Sequence, residues 1–213
     1  MSFLPEWPVF LQFAGAAIVL TLIPGPDMAL ILGRSITQGK MAGLACSLGA
    51  ETGVMLQVIA VAAGLSTMIL VSPTAFLLLK IVGAFYLLYL AFQAIRSQSS
   101  FSINTKKQSK QSFKRNYLTG LGIDLLNPKV LLFNMTFLPQ FVQASDPYAP
   151  QKLLFLGLAF IPISFPFTLA MVFAANRFAR LFKENKLYTK ILDWFMACIF
   201  IAFAIRLLAT QAK

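Results

Sequence analysis

Histidine is absent from the 213 residues. Its absence excludes His-based general bases, serine–histidine dyads and His-containing metal sites. Cysteine is scarce: Cys46 and Cys198 each stand inside an apolar run and read as small apolar core residues. Charged residues make up only 12% of the chain, against roughly a quarter in an average soluble domain. Apolar residues make up 58%, more than a soluble domain of this length could hide in one core, so lipid is the expected solvent. No polar segment is long enough for a second domain, which leaves one integral membrane domain over residues 1–213.

Acidic residues are the scarcer sign, seven against eighteen Lys and Arg, for a net charge of +11. A basic face would suggest nucleic acid. Here the basic residues sit in short segments between apolar stretches, where charge fixes membrane orientation, so no nucleic-acid partner is expected. The start of the chain, Met1 to Glu6, has no basic residue before the first apolar run. That argues for an uncleaved first span rather than a signal peptide.

What is present is a series of apolar runs near the length of a membrane crossing. They cover residues 9–33, 44–70, 75–95, 117–142, 153–175 and 187–208. The expected fold class is all-α, a polytopic membrane protein of six transmembrane helices. A Ser/Gln/Lys-rich stretch, 97–116, reads as a loop between halves of about 1–96 and 116–213. Basic residues concentrate in 34–40, 97–116 and 177–190, so these segments are expected in the cytoplasm of a bacterial inner membrane, with both termini outside. Halves of three spans each enter from opposite sides, the arrangement of a 3+3 inverted repeat.

Spans 1 and 4 are both interrupted, by Pro24-Gly25-Pro26-Asp27 and by Asn127-Pro128-Lys129. Each interruption lies about ten to thirteen residues from a basic residue (Arg34, Arg115), a similar depth near mid-bilayer at roughly 1.5 Å of rise per residue. Proline removes a backbone donor, so at Pro24 and Pro26 the carbonyls of Leu20 and Leu22 lose their helical partners. Lipid cannot supply replacements, so this backbone must face protein or a wet cavity. Gly25 allows a sharp change of direction. A helix restarting at Pro26 would turn its free N–H groups toward the break, and Asn127 before Pro128 has the form of an N-cap followed by proline. The plain alternative is a pair of packing kinks. Charge favours a site: Asp27 and Lys129 follow the two breaks, Asp124 precedes the second, and Glu51 lies in span 2. These groups suit a zwitterion, with Lys129 and the helix ends for a carboxylate and Asp27, Glu51 or Asp124 for an ammonium. A carboxylate in this setting is also a candidate proton carrier, although Asp27 and Lys129 could equally pair with each other. In span 2, Gly49 and Gly53 make a small-xxx-small pattern and read as helix packing.

Leu22-Ile23-Pro24-Gly25-Pro26-Asp27, Gly33-Arg34-Ser35, Gln38-Gly39, Leu125-Leu126-Asn127-Pro128-Lys129 and Phe137-Leu138-Pro139-Gln140-Phe141 resemble the LysE/RhtB amino-acid exporter family. The resemblance runs through essentially the whole chain. It implies export of amino acids or their derivatives, with proton antiport as the driving mechanism, and no cofactor or metal. By position it centres the site on Pro24, Gly25, Pro26, Asp27, Asn127, Pro128 and Lys129. The partners implied are a small-molecule substrate and the lipid bilayer, with a homodimer as an admissible assembly. Two positions depart from the family: Val54 stands where many relatives carry an acid, with Glu51 three residues earlier, and Asp124 stands where Asn is frequent.

Other classes fit less well. An intramembrane aspartyl protease would need a GxGD pattern, and in Gly120-Leu121-Gly122-Ile123-Asp124 the acid comes one place late. A thiol–disulfide carrier needs two cysteines that meet, and Cys46 and Cys198 fall in non-equivalent spans. An exporter of another solute or of a cation remains as the alternative within the transporter class. Cation sites gather several oxygen or sulfur ligands, beside which Lys129 would be unfavourable.

Overall fold

The structure, a computed structural model, describes residues 4–22, 25–71, 73–96, 109–127, 130–131, 133–143, 146–177 and 186–209. Among these the chain is helical: α1 (Trp7–Leu22), α2 (Pro26–Thr37), α3 (Lys40–Val71), α4 (Pro73–Arg96), α5 (Phe113–Leu125), α6 (Ala149–Phe173) and α7 (Lys186–Ala209). A π-helical turn, Phe133–Phe137, runs into a 3-10 turn, Leu138–Phe141. Two helical stretches, Lys40–Gly64 and Ala149–Phe173, are long and apolar enough by themselves to cross a membrane. The pair α1–α2 reaches that length together, with its two axes bent by 55°.

Helix limits follow local chemistry and differ from the apolar runs. The loop expected over 97–116 ends earlier, because the Ser112 hydroxyl accepts from the Arg115 N–H at 3.2 Å and caps α5 at Phe113. Gly39, at φ +100°, permits the tight turn between α2 and α3, so Arg34 belongs to the last turn of α2 and Lys40 to the first of α3. The run 117–142 is not one continuous helix. Its α-helix ends at Leu125, and the turn over Phe133–Phe137 widens just ahead of Pro139, whose ring would collide with the carbonyl of Met135 in a regular α-helix. Pro24, Pro128 and Lys129 lie outside the described residues.

Small residues set how closely α3 and α5 approach. A Cβ built on Gly49 would lie 2.0 Å from the Tyr117 carbonyl oxygen, and one on Gly120 would lie 2.1 Å from that of Cys46. Gly53 sits against Asp124, whose carboxylate oxygen would be 2.6 Å from an added Cβ. Beyond this pair, α3 packs on α6 and α2, α4 on α7, and α1 on α6. The main core joins Phe13, Phe133, Phe137 and Phe141 to residues of α3, α4, α6 and α7. Phe133 stacks on Phe137 at 4.6 Å, and Phe141 meets Phe13 edge-on at 5.4 Å, which holds the irregular turns against α1. The outer surface is apolar too: Phe85, Val82, Phe173 and Leu187 are all more than half exposed. An apolar exterior along helices of this length is the surface of a multi-pass membrane protein. Cys46 is buried and donates to the Asn116 carbonyl at 3.3 Å, Cys198 is exposed, and both thiols are free.

Candidate functional site

One cavity of about 60 Å³ opens where α1 ends, α2 begins and α3, α5 and α6 meet. Its lining divides by chemistry. Asp27, Glu51, Asp124, Thr21, Asn134, Ser164 and Thr168 supply polar groups, while Leu20, Ile31, Val54, Phe133, Phe160 and two methionines supply apolar surface. Three of the carboxylates singled out from the sequence therefore share one space. Among the described residues they do not converge as ligands of a metal ion would.

Each carboxylate is held differently. Asp27 stands in the first turn of α2, after Gly25 as N-cap in extended backbone (φ −148°, ψ 178°) and Pro26 as first residue. Gly25 has no side chain with which to cap this helix start, and the positive end of the dipole lies beside Asp27. One carboxylate oxygen of Asp27 is buried with no hydrogen-bond partner among the described residues. Glu51 lies within α3, well away from either end of that helix, and both its oxygens accept from the Ser164 hydroxyl of α6, at 3.2 and 3.3 Å. Asp124 is 1% exposed and wedged against Gly53, which makes it the least accessible of the three.

Asn127 is buried just beyond α5 and does not line the cavity. Its carbonyl accepts from the Leu131 N–H at 3.1 Å, as an N-cap carbonyl does when a helix starts again. Gly25 and Pro26 also stay off the lining and act through the backbone they set. Pro24, Pro128 and Lys129, the remaining sequence candidates, fall outside the described residues.

Several polar residues at the site escaped the sequence reading. Gln57, 4% exposed, donates to the carbonyls of Asp124 at 2.9 Å and Leu125 at 3.3 Å, so α3 satisfies the last carbonyls of α5. Asn134 in the π-turn donates in turn to the Gln57 side-chain oxygen at 3.4 Å. Gln57 lies one helical turn beyond Gly53 on α3, and that i, i+4 spacing was the available signal. Ser164 stands between Pro162 and Pro166 inside α6, where each proline removes a helix donor. Thr168, one turn on, donates to the Ser164 carbonyl at 3.2 Å. On the basic side, Gln38 ties the start of α5 to the turn between α2 and α3. Its side-chain oxygen accepts from the Gln111 N–H at 2.9 Å and from the Asn116 amide at 3.3 Å.

A model of the LysE type translocator family matches residues 18–211. The leucine efflux protein of Salmonella typhimurium is 25% identical over 196 residues, which cover 92% of either chain. The leucine efflux protein of Salmonella typhi matches with the same identity and coverage. An uncharacterized membrane protein of Bacillus subtilis, YrhP, is 26% identical over 204 residues, covering 92% of this chain and 96% of its own. No solved structure matches.

Proposed function

We propose, from the premise that this chain belongs to the LysE-type translocator family, that it exports amino acids or their derivatives across the bacterial inner membrane in exchange for protons. The family makes it a transporter rather than an enzyme. The observation that carries the substrate class is that the cavity lining is shared between two chemistries, carboxylates and hydroxyls on the one hand and aliphatic and aromatic side chains on the other. An amino acid has that division in its own structure. Its ammonium suits the carboxylates, its carboxylate suits the uncapped start of α2, and an apolar side chain suits Leu20, Ile31, Val54 and Phe160. The relatives named for leucine efflux agree with this assignment.

The topology we propose is six spans in two inverted halves, about 1–96 and 116–213. The segments 34–40, 97–116 and 177–190 face the cytoplasm, and both termini lie outside. Span 1 is α1 with α2, broken at Pro24-Gly25-Pro26, and span 4 runs from α5 through the irregular turns. Packing supports the repeat: α3 lies on α6 and α4 on α7, the partners that a twofold relation between the halves would bring together. Asn127, Pro128 and Lys129 would then serve the second half as Pro24, Gly25, Pro26 and Asp27 serve the first. The site lies within a single chain and needs no second copy.

Transport follows from the size of the cavity. About 60 Å³ holds a handful of waters, so a substrate of leucine's size enters only when the walls part. Met28 and Met171 are the most pliable parts of the wall. Asp27 is the proton carrier in this account: it lines the cavity beside the break in span 1, and one of its oxygens is buried with no described partner. Export from cells loaded with a panel of labelled amino acids tests the assignment. Faster loss of one or more amino acids on expression of the chain supports it, and unchanged efflux of every member of the panel refutes it.

A further inference from the structure

Within the cavity, Glu51 has an electrostatic position different from that of Asp27. Asp27 sits at the positive end of α2, which offsets much of a carboxylate's charge. Glu51 is mid-helix and has no ion-pair partner among the described residues. Its compensation is one hydroxyl, that of Ser164, and a single neutral donor compensates far less than a full positive charge. Ser164 has one proton for three acceptors in reach: the two Glu51 oxygens, and the Ile161 carbonyl at 3.2 Å. Such a donor orients a carboxylate without neutralising it. Glu51 lines the cavity, so a cationic group of the substrate placed there would supply the compensation that the fold leaves out.

We propose that Ser164 is a specificity-determining positioning residue: it holds the Glu51 carboxylate across the cavity, and the two together form the subsite for the substrate's ammonium group. This rests on the reading of the chain as an amino-acid exporter. Asp124 is too deeply wedged against Gly53 to take that part. The proton-carrying role stays with Asp27. The division explains why a site for one ammonium group carries more than one carboxylate. It also gives the polar position between Pro162 and Pro166 in α6 a purpose, since Ser164 lies there on the face toward α3.

The test uses the full chain in liposomes, exchanging labelled leucine against unlabelled competitors. Two competitors are compared: leucine itself and its 2-hydroxy analogue, in which a hydroxyl replaces the ammonium. The unmodified chain should prefer leucine by tenfold or more, roughly the worth of one charge-assisted hydrogen bond. Ser164→Ala should cut that preference about fivefold or more by raising the half-saturation for leucine, with the analogue's inhibition moving less than about twofold. Glu51→Gln should abolish the preference, and Ser164→Thr, which keeps the hydroxyl, should hold it. A merely structural serine would weaken both competitors alike or lower the maximal rate alone. Preserved preference in Ser164→Ala, with leucine exchange intact in the unmodified chain, overturns the subsite. Absence of amino-acid exchange by the unmodified chain overturns the exporter reading instead, so the two failures are distinguishable.

Discussion

Replacing Gly49 by alanine adds one methyl group at the place where α3 and α5 are closest. That Cβ would lie 2.0 Å from the Tyr117 carbonyl oxygen and 2.8 Å from the Leu121 nitrogen, whereas ordinary contact begins near 3.4 Å. The obstruction is backbone on both sides, so no side-chain rotation relieves it, and the helices must part by more than an ångström. Overpacking of a rigid interface costs about 1–3 kcal/mol, and backbone against backbone belongs at the upper end of that range. For a chain of this length about 3 kcal/mol corresponds to a fall in Tm of roughly 6–12 °C. Gly120→Ala, facing the Cys46 carbonyl at 2.1 Å, should behave in the same way. Gly64 and Gly122 provide the control, since nothing lies within 4 Å of a Cβ added at either. There alanine should stabilise by up to about 1 kcal/mol, because it restricts the unfolded helix backbone more than glycine does. Thermal unfolding of the purified variants in detergent reads both signs at once. A Gly49→Ala protein as stable as Gly122→Ala would show that α3 and α5 do not pack as described.

Gln57→Leu should cost about 1–3 kcal/mol in the same assay, because the Leu125 carbonyl loses its side-chain donor and Asn134 its acceptor, while the Asp124 carbonyl keeps the Asn127 N–H at 2.8 Å; an unchanged Tm would remove Gln57 from the account. Asp27→Asn keeps the shape of the side chain and removes its titration. It should leave downhill exchange of substrate intact and abolish accumulation against a gradient, so uphill transport by this variant would assign the proton to another carboxylate. Reporter fusions at Gln108 and Lys213 should report opposite compartments, and the same compartment for both would break the six-span topology.

The parts legible in the sequence are those written in strong local chemistry. Pro26 marks the start of α2 because a residue without an N–H loses nothing in the first turn of a helix. Asp27, Glu51 and Asp124 could be marked because ionisable groups deep in apolar runs are costly, and they share one cavity. Gln57 and Ser164 could not be marked in this way. An amide or hydroxyl within an apolar helix has many innocuous readings. Their partners are far away in the chain, 67 residues for Gln57 to Asp124 and 113 for Ser164 to Glu51. The i, i+4 spacing from Gly53 puts Gln57 on the face toward α5, but no periodicity names a partner at that separation. The π-turn was hidden for a related reason: Phe133, Phe137 and Phe141 follow a helical spacing, and only the approach of Pro139 forces the widened turn.

The central claim is that this chain alone couples amino-acid export to protons, and purified protein in sealed liposomes tests it without other transporters present. Labelled leucine is placed outside, a pH gradient is imposed with the interior acidic, and accumulation is followed over minutes. The account predicts transient accumulation above the outside concentration, abolished by an ionophore that collapses the gradient. Leucine that only equilibrates, at the same rate with and without the gradient, would contradict proton coupling, and failure of leucine and every other amino acid tried to enter at all would contradict the exporter itself.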